Sequence, residues 1–272
     1  MVSGPVLGCM KDRHGLLALV IAGTLGGAFG PGSAGCGLMR STKQFHQLGT
    51  DPRVHYELGA GAMASEVARV LPEAMHTVEE RQYCPFLGPA DIYVCASLET
   101  YAAYGGDPHS GGYLSNGRVF VSPKKENTPT RITGLLTHEL SHLHLEQHLG
   151  LWGSRRLPSW FAEGLATFVS DGGGAETVSE EAARAAIVTG RVFQPKPSDG
   201  IFFHTTASTF GLTPHLFYRE AALFLAHLRQ RDPTAFQNWL VAVETGEALD
   251  ASFATAFGKT LTAAWDEFVR NP

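Results

Sequence analysis

Residues 131–148 constrain the fold most, because they predict one long helix with two chemically different faces. Three leucines recur at helical spacing on one side, which suits burial in a core: Leu136, Leu140 and Leu143. His138 and His142 lie four residues apart on roughly the opposite side. Residues four apart on a helix point almost the same way, so both imidazoles can reach one ion. The segment therefore predicts a packed helix whose other face borders a metal site, with Gly150 as its stop signal.

Glu139 lies between the two histidines, in the sequence His138-Glu139-Leu140-Ser141-His142. On a helix this glutamate is about a quarter turn away from the histidine pair, beside the position of a metal-bound water. Such a short motif also arises by chance in a chain with 12 histidines. The alternative interpretation is a charged helix face in contact with solvent, so the motif needs independent support.

That support comes from a second predicted helix, Pro158 to Ser170, which is rich in aromatic and apolar residues. Glu163 is its only charged residue. An unpaired carboxylate in apolar surroundings costs on the order of several kcal/mol or becomes protonated, so it requires a cationic partner. Two histidines and one glutamate are a known ligand set of catalytic zinc sites. We therefore expect His138, His142 and Glu163 to hold one zinc ion, with cobalt and manganese as alternatives.

The two segments resemble motifs of the gluzincin-type, peptidase MA-like zinc metallopeptidases. His138 to His142 matches HExxH, and Trp160 to Ala166 is similar to the W-F-x-E-G-L-A pattern whose glutamate is the third zinc ligand. The resemblance implies a zincin-like α+β domain over residues 53–272. Its first lobe, about 53–150, would contain a mixed sheet, helices and the active-site helix, and its second lobe, about 151–272, would be mainly helical.

The resemblance implies zinc-dependent hydrolysis of peptide bonds. Zinc would lower the pKa of its bound water towards 7, and Glu139 would take the water's proton and pass it to the leaving amine. Tyr218 lies in a segment that resembles the tyrosine segment of the aminopeptidase-type members, which makes it the candidate oxyanion donor. The alternative for Tyr218 is a place beside a helical core stripe. His144 and His148 are expected to point away from the site and to be solvated or hydrogen-bonded.

Two departures from the family pattern refine this expectation. Thr167 stands where thermolysin-like members have an aspartate that orients a histidine, so such a partner would have to come from elsewhere and the sequence does not identify it. The region from Gly105 to Gly117 lacks the Gly-x-Met-Glu-Asn segment of the aminopeptidase branch. An endopeptidase is therefore preferred, with an extended peptide pairing along an edge strand at Arg118 to Val121. The alternatives are a catalytically inactive zincin-fold binding module and a hydrolase of a non-peptide amide.

The first 36 residues have the order of an export signal. Residues 11–14 are mostly charged, an apolar run follows from Leu16 to Leu25, and small residues come next. The apolar part is about half the length of a membrane-spanning helix. Ala34-Gly35-Cys36 resembles the end of a bacterial lipobox, although Ser33 replaces the usual leucine; a cleaved signal with an incidental cysteine and an uncleaved anchor are the alternatives. We expect an exported protein that is periplasmic, a cell-surface lipoprotein or secreted, with membrane contact only through this segment.

Composition bounds the remaining questions. A chain of 272 residues with 44% hydrophobic content can build one ample core. Its net charge of -5 comes from scattered residues, so we expect no nucleic acid as a partner. The expected partner is the peptide or protein substrate that the resemblance implies. Residues 37–52 are expected to form a loose linker. Cys84 and Cys95 form the only cysteine pair after the signal, which predicts a disulfide in an oxidising compartment, with two buried thiols as the alternative.

Periodicity and turn signals predict the other elements. Met63 to Val78 should form an amphipathic helix that covers a sheet, and Asp91 to Ala96 a buried strand. Asn116-Gly117 between two apolar runs is a strong hairpin signal. The second half of the chain has helical patterns at 179–189, 215–229, 233–243 and 261–270.

Overall fold

The computed structural model describes residues 40–124, 128–198 and 205–272. The predicted export signal and its cysteines, Cys9 and Cys36, lie outside these ranges. The described chain is α+β, with a small mixed five-stranded sheet and 56% helix. This confirms the α+β class and the predicted order of a sheet followed by helices.

The sheet is built from five short strands: β1 (His46–Leu48), β2 (Asp51–Tyr56), β3 (Asp91–Val94), β4 (Gly112–Ser115) and β5 (Arg118–Val121). Their order across the sheet is β1-β2-β3-β5-β4. β2, β3 and β5 are parallel, whereas β1 and β4 are antiparallel to their neighbours. The predicted hairpin is confirmed, since Asn116 and Gly117 have φ of 49° and 70° between β4 and β5. β1 and the start of β2 lie in the stretch expected as a linker.

The described helices are α1 (Gly61–Gln82), α2 (Leu98–Ala103), α3 (Pro129–Ser154), α4 (Ser159–Val169), α5 (Glu180–Val188), α6 (Pro214–Arg231), α7 (Pro233–Glu244), α8 (Leu249–Phe257) and α9 (Leu261–Arg270). A 3₁₀ turn covers Ala207–Phe210. The predicted helices are confirmed to within a few residues, and the short α2 and α8 were not predicted. Within the described ranges, none of the helices is both long and apolar enough to cross a bilayer.

The central strands are buried on both faces, because alternate side chains enter two different clusters. Ile92 and Val94 of β3 belong to the main core, together with residues of α1 and α3. Tyr93 points to the other face, into a cluster of mainly aromatic side chains: Phe45, Tyr93, Cys95, Tyr101, Tyr104 and Phe120. The sheet is therefore held between α1 and α3 on one side and the α2 region on the other, which makes a fixed platform for β4.

The predicted disulfide between Cys84 and Cys95 is wrong. Cys95 is a free thiol, whereas Cys84 is disulfide-bonded. The two lie on opposite sides of the sheet, since Cys95 is in the aromatic cluster and the carbonyl of Cys84 accepts a hydrogen bond from His144 of α3. Burial raises the pKa of Cys95 to about 12, so its thiol stays protonated.

α3 has the two faces that the sequence predicts. Leu136, Leu140 and Leu143 are at most 1% exposed and belong to the main core. At Gly150 the backbone leaves the helical region, with φ of 72° and ψ of 166°, and one further turn ends at Ser154. The straight part of α3 therefore holds its histidine pair between the core and the open side of the molecule.

His144 and His148 lie on a third side of α3 and are hydrogen-bonded, not solvated. His144 Nε2 donates to the carbonyl of Cys84 and His148 Nε2 to that of Pro85, each at 2.9 Å. Their exposed fractions are 0% and 7%. The expectation of hydrogen bonds is confirmed and that of solvation is wrong, because the segment after α1 covers both rings.

Behind these rings, α1, α3 and α7 enclose a polar cluster. Gln82 Nε2 donates to Glu244 Oε1 at 2.9 Å and to His144 Nδ1 at 3.0 Å. Burial raises the pKa of Glu244 to about 8 and lowers that of His144 to about 3, with His148 adding to the second shift. Both groups are therefore neutral at pH 7, and Glu244 is a buried carboxylic acid.

This cluster makes the stability depend on pH. The folded protein keeps the Glu244 proton up to about pH 8, whereas the unfolded carboxyl releases it near 4.5. Unfolding therefore releases a proton in this window, and stability falls as pH rises, by about 1.4 kcal/mol per pH unit. Glu220 in α6, whose pKa burial also raises to about 8, adds a similar slope. His144 has the opposite effect only below its ordinary value of 6.5.

We expect Glu244→Gln to remove part of the stability loss between pH 6.5 and 8, because an amide cannot ionise. The double variant with Glu220→Gln should remove more of it, and His138 and Glu139, whose pKa values are also raised, should account for a remainder. Urea unfolding at pH 6.5, 7.2 and 8.0 measures this, with the exposed Glu247→Gln as control. A Glu244→Gln protein that loses stability over this range as steeply as the wild type would contradict the prediction.

Candidate metal centre

Three side chains from α3 and α4 converge at one point. The Nε2 atoms of His138 and His142 are 3.2 Å apart. Glu163 Oε2 lies 3.4 Å from the first and 3.6 Å from the second. The structure thus brings together the three residues that the sequence analysis selected as metal ligands.

The spacing of these atoms fits a metal site. A tetrahedral zinc ion with bonds of about 2.0 to 2.2 Å keeps its ligand atoms about 3.3 to 3.6 Å apart. The observed separations of 3.2, 3.4 and 3.6 Å agree with such a set. Two imidazoles and a carboxylate also have the chemistry that zinc prefers. The donor set therefore fits one zinc ion, with a fourth position for water or substrate.

Gly173 supplies an outer partner for His138. The Nδ1 atom of His138 lies 2.9 Å from the Gly173 carbonyl oxygen. A carbonyl can only accept, so Nδ1 carries a hydrogen and Nε2 is the ring nitrogen that faces Glu163 and His142. The hydroxyl of Thr167, which is 1% exposed, has no hydrogen-bond partner within the described residues. The sequence does not identify the Gly173 carbonyl as the partner of His138, because every residue has a backbone oxygen. The run of glycines at 172–174 is the only feature of the sequence that marks this place.

The charges around the site give the two glutamates different properties. Burial raises the pKa of Glu163, but His142 and hydrogen bonds from both histidines outweigh it, so the net shift is downward. Burial lowers the pKa of His138, but the hydrogen bond and charge of Glu163 reverse the direction. Burial raises the pKa of Glu139, only partly opposed by the two histidines. Glu163 is thus anionic, and in the metal-free protein Glu139 is a stronger base than an ordinary glutamate.

Glu139 borders the cleft directly against strand β4. Glu139 is 8% exposed. A Cβ added to Gly112 would come within 2.6 Å of Glu139 Cγ and 2.8 Å of Oε1. Only glycine at this position lets the strand lie so close to the carboxylate. The sequence did not predict Gly112 as a residue of the site.

The site opens into a cleft of about 910 Å³. Residues from β4, α3, α4, α6 and the loops at 105–111 and 174–177 line it. The prediction that Arg118 to Val121 forms the edge strand is wrong, because β5 lies between β3 and β4. β4 is the outer strand at this edge of the described sheet and contributes Gly112, Tyr113 and Leu114 to the cleft. The hairpin signal could predict the pairing of the two strands but not which of them is outermost.

Tyr218 lies in the same cleft, on α6. Its ring centroid is 6.4 Å from that of His138, and its apolar part packs against the main core. Burial raises the pKa of Tyr218, and the charges of Glu163 and Glu139 raise it further, so the hydroxyl remains a donor. His215, one turn earlier, also borders the cleft and accepts hydrogen bonds at Nδ1 from the Thr177 amide at 3.2 Å and hydroxyl at 2.7 Å. The sequence had given His215 no role.

Comparison with known proteins adds no relative. No protein-family model matches the chain, and no curated protein matches it either.

Proposed function

We propose that this chain is a zinc-dependent hydrolase of peptide bonds with the gluzincin arrangement of ligands, acting as an endopeptidase. The observation that supports this most directly is the triangle of donor atoms of His138, His142 and Glu163, with sides of 3.2 to 3.6 Å. A second carboxylate, Glu139, lies beside the triangle and borders an open cleft. A purely structural ion pair does not require either the second carboxylate or the cleft.

The metal ligands and Glu139 would have separate roles in the reaction. A zinc ion held by the triangle would supply Lewis acidity to a water molecule and to the substrate carbonyl. Glu139 would accept the proton of the attacking water on its carboxylate and deliver it to the leaving nitrogen. In the metal-free protein burial raises its pKa towards neutral pH, which makes the carboxylate a better proton acceptor. Glu163 would remain ionised throughout, as a ligand.

The substrate would lie in the cleft along β4. An extended peptide can add to the outer edge of a sheet through main-chain hydrogen bonds. β4 is one of the two outer strands of the described sheet, and its residue Gly112 lies against Glu139. A peptide paired with this strand would therefore run past the general base with both of its ends free, which favours cleavage within a chain over removal of a terminal residue.

The test is cleavage of a peptide library by the purified protein, with removal of metal by a chelator and restoration by zinc. We expect cleavage at internal bonds that disappears with the chelator and returns with zinc, together with one zinc per chain. Stoichiometric zinc without cleavage of any peptide would instead favour an inactive binding module. Cleavage restricted to non-peptide amides would favour the amide hydrolase.

Tyr218→Phe should lower kcat about 10² to 10³-fold, because it removes one hydrogen-bond donor from the developing oxyanion. The ring is kept, so packing and KM should change little. Steady-state kinetics on the best library peptide measures this. An unchanged kcat would mean that Tyr218 only completes the core beside the cleft.

A further inference from the structure

We infer that Arg219 is a positioning residue: it clamps the loop 172–178, whose Gly173 carbonyl orients the His138 imidazole. The clamp is a contact between α6 and the loop that follows α4. Its importance for hydrolysis rests on the proposed function, whereas its effect on the His138 ring does not. The three links are Arg219 to the loop, the loop to His138, and His138 to the other ligands.

The first link is a set of hydrogen bonds to backbone carbonyls. Arg219 Nε donates to the Val178 carbonyl at 3.0 Å. Its Nη2 atom donates to the carbonyls of Ala175 at 3.2 Å and Gly172 at 3.4 Å. One guanidinium thus joins both ends of a loop that has no regular secondary structure. A planar group with several donors suits this task better than the single ammonium of lysine.

The second link is close packing that only glycine permits. A Cβ at Gly172 would lie 2.4 Å from Arg219 Nη2, and a Cβ at Gly174 would lie 2.6 Å from His138 Cε1. At Gly173 it would lie 2.4 Å from the Gly134 carbonyl oxygen. The loop therefore fits between the guanidinium, α3 and the His138 ring without room for a methyl group.

The third link is the tautomer of His138. With the Gly173 carbonyl at 2.9 Å, Nδ1 must carry the hydrogen, and Nε2 is left as the ligand atom. Tyr218 is the neighbour of Arg219 on α6, so the helix that carries the candidate oxyanion donor also holds the loop behind His138. A loosened loop would let the imidazole rotate away from the direction that the other two ligands require.

Gly174→Ala tests the link to His138, and Gly190→Ala is its matched control. Both glycines have φ of +79°, so alanine meets the same backbone strain at either position. Nothing lies within 4 Å of a Cβ placed at Gly190, whereas a Cβ placed at Gly174 would overlap the His138 ring. A difference between the two variants therefore reports contact with His138 and not strain.

Two measurements read the orientation of the ring. Nitrogen NMR of the metal-free protein, at a pH high enough for the imidazole to be neutral, identifies which nitrogen of His138 carries the hydrogen, and competition with a chromophoric chelator gives the zinc Kd. We expect the Nδ1-protonated form and unchanged affinity in Gly190→Ala. In Gly174→Ala we expect a mixture of tautomers and a Kd about 10 to 100-fold higher.

Arg219→Met tests the clamp itself, since it keeps an apolar stem but removes the donors. We expect the same mixture of tautomers and a similar loss of zinc affinity, with partial recovery in Arg219→Lys. Arg231→Met, near the exposed end of α6, should behave as the wild type. It also shows whether loss of an arginine from this helix affects folding.

The outcomes separate this inference from the proposed function. Wild-type tautomer and wild-type zinc Kd in folded Arg219→Met, or no difference between Gly174→Ala and Gly190→Ala, would overturn the clamp. A wild-type protein with the Nδ1-protonated His138 that changes in Arg219→Met, but that binds no zinc, would support the clamp and overturn the proposed function.

Discussion

Glu139→Gln should lower kcat for peptide hydrolysis about 10² to 10⁴-fold while one zinc stays bound. The amide has nearly the shape of the carboxylate but cannot accept the proton of water. The corresponding loss is about 3 to 5 kcal/mol of transition-state stabilisation. Because Glu139 is not one of the three converging donors, the zinc Kd should change little. Kinetics with the best library peptide and metal analysis of the same sample measure both quantities.

Glu146→Gln is the matched control for this experiment. Glu146 lies two turns further along α3, and its carboxylate accepts a hydrogen bond from the Gly117 backbone. Its replacement should leave kcat within about a factor of two of the wild type, because Glu146 is not one of the three converging donors and has no role in the proposed proton transfer. Near-normal hydrolysis by Glu139→Gln would remove the general base from the proposed mechanism. Loss of zinc in that variant would assign Glu139 to the metal instead.

Glu163→Gln should weaken zinc binding more than about 100-fold. This exceeds the loss of affinity of about 10 to 100-fold that is usual when a group that hydrogen-bonds to a metal ligand is removed. It replaces the anionic ligand, whose oxygen lies 3.4 and 3.6 Å from the two histidine nitrogens, by a neutral amide. Hydrolysis should fall with the bound metal, in contrast to Glu139→Gln, which should lose turnover alone. The pair of variants therefore separates a ligand from a base.

Thermal unfolding gives a second measurement that needs no substrate. A metal that binds only the folded chain stabilises it by about 2.7 kcal/mol at a concentration of 100 times Kd. Zinc should therefore raise the Tm of the wild type, of Glu139→Gln and of Glu146→Gln, and it should leave that of Glu163→Gln nearly unchanged. An equal zinc-induced shift in Glu163→Gln would exclude this carboxylate as a ligand.

Much of the local structure could be predicted because it depends on short-range periodicity. The spacing of Leu136, Leu140 and Leu143 against His138 and His142 predicts the two faces of α3, and the structure has them. The isolated charge in an apolar helix was enough to select Glu163. Gly150 and the Asn116-Gly117 pair predict a helix break and a hairpin, since each requires backbone angles that few residues adopt.

The errors share a physical cause, which is that pairing between distant segments has no local signal. Cys84 and Cys95 are near each other in sequence, but β3 and the end of α1 place them on opposite sides of the sheet. The sequence predicts an edge strand at Arg118–Val121, but β3 pairs with the side of this strand that was expected to be open. His144 and His148 have polar side chains, but the segment after α1 covers them.

The sequence by itself determined which side chains share a helix face, because the helical repeat places residues four apart side by side. It also determined that Glu163 needs a cation, because a lone carboxylate among apolar residues is costly. Only the tertiary structure decided that α3 and α4 bring their donors within 3.6 Å, that β4 borders Glu139, and that the Gly173 carbonyl holds His138. These contacts join elements far apart in the chain, and one of them is made by a backbone atom that every residue possesses.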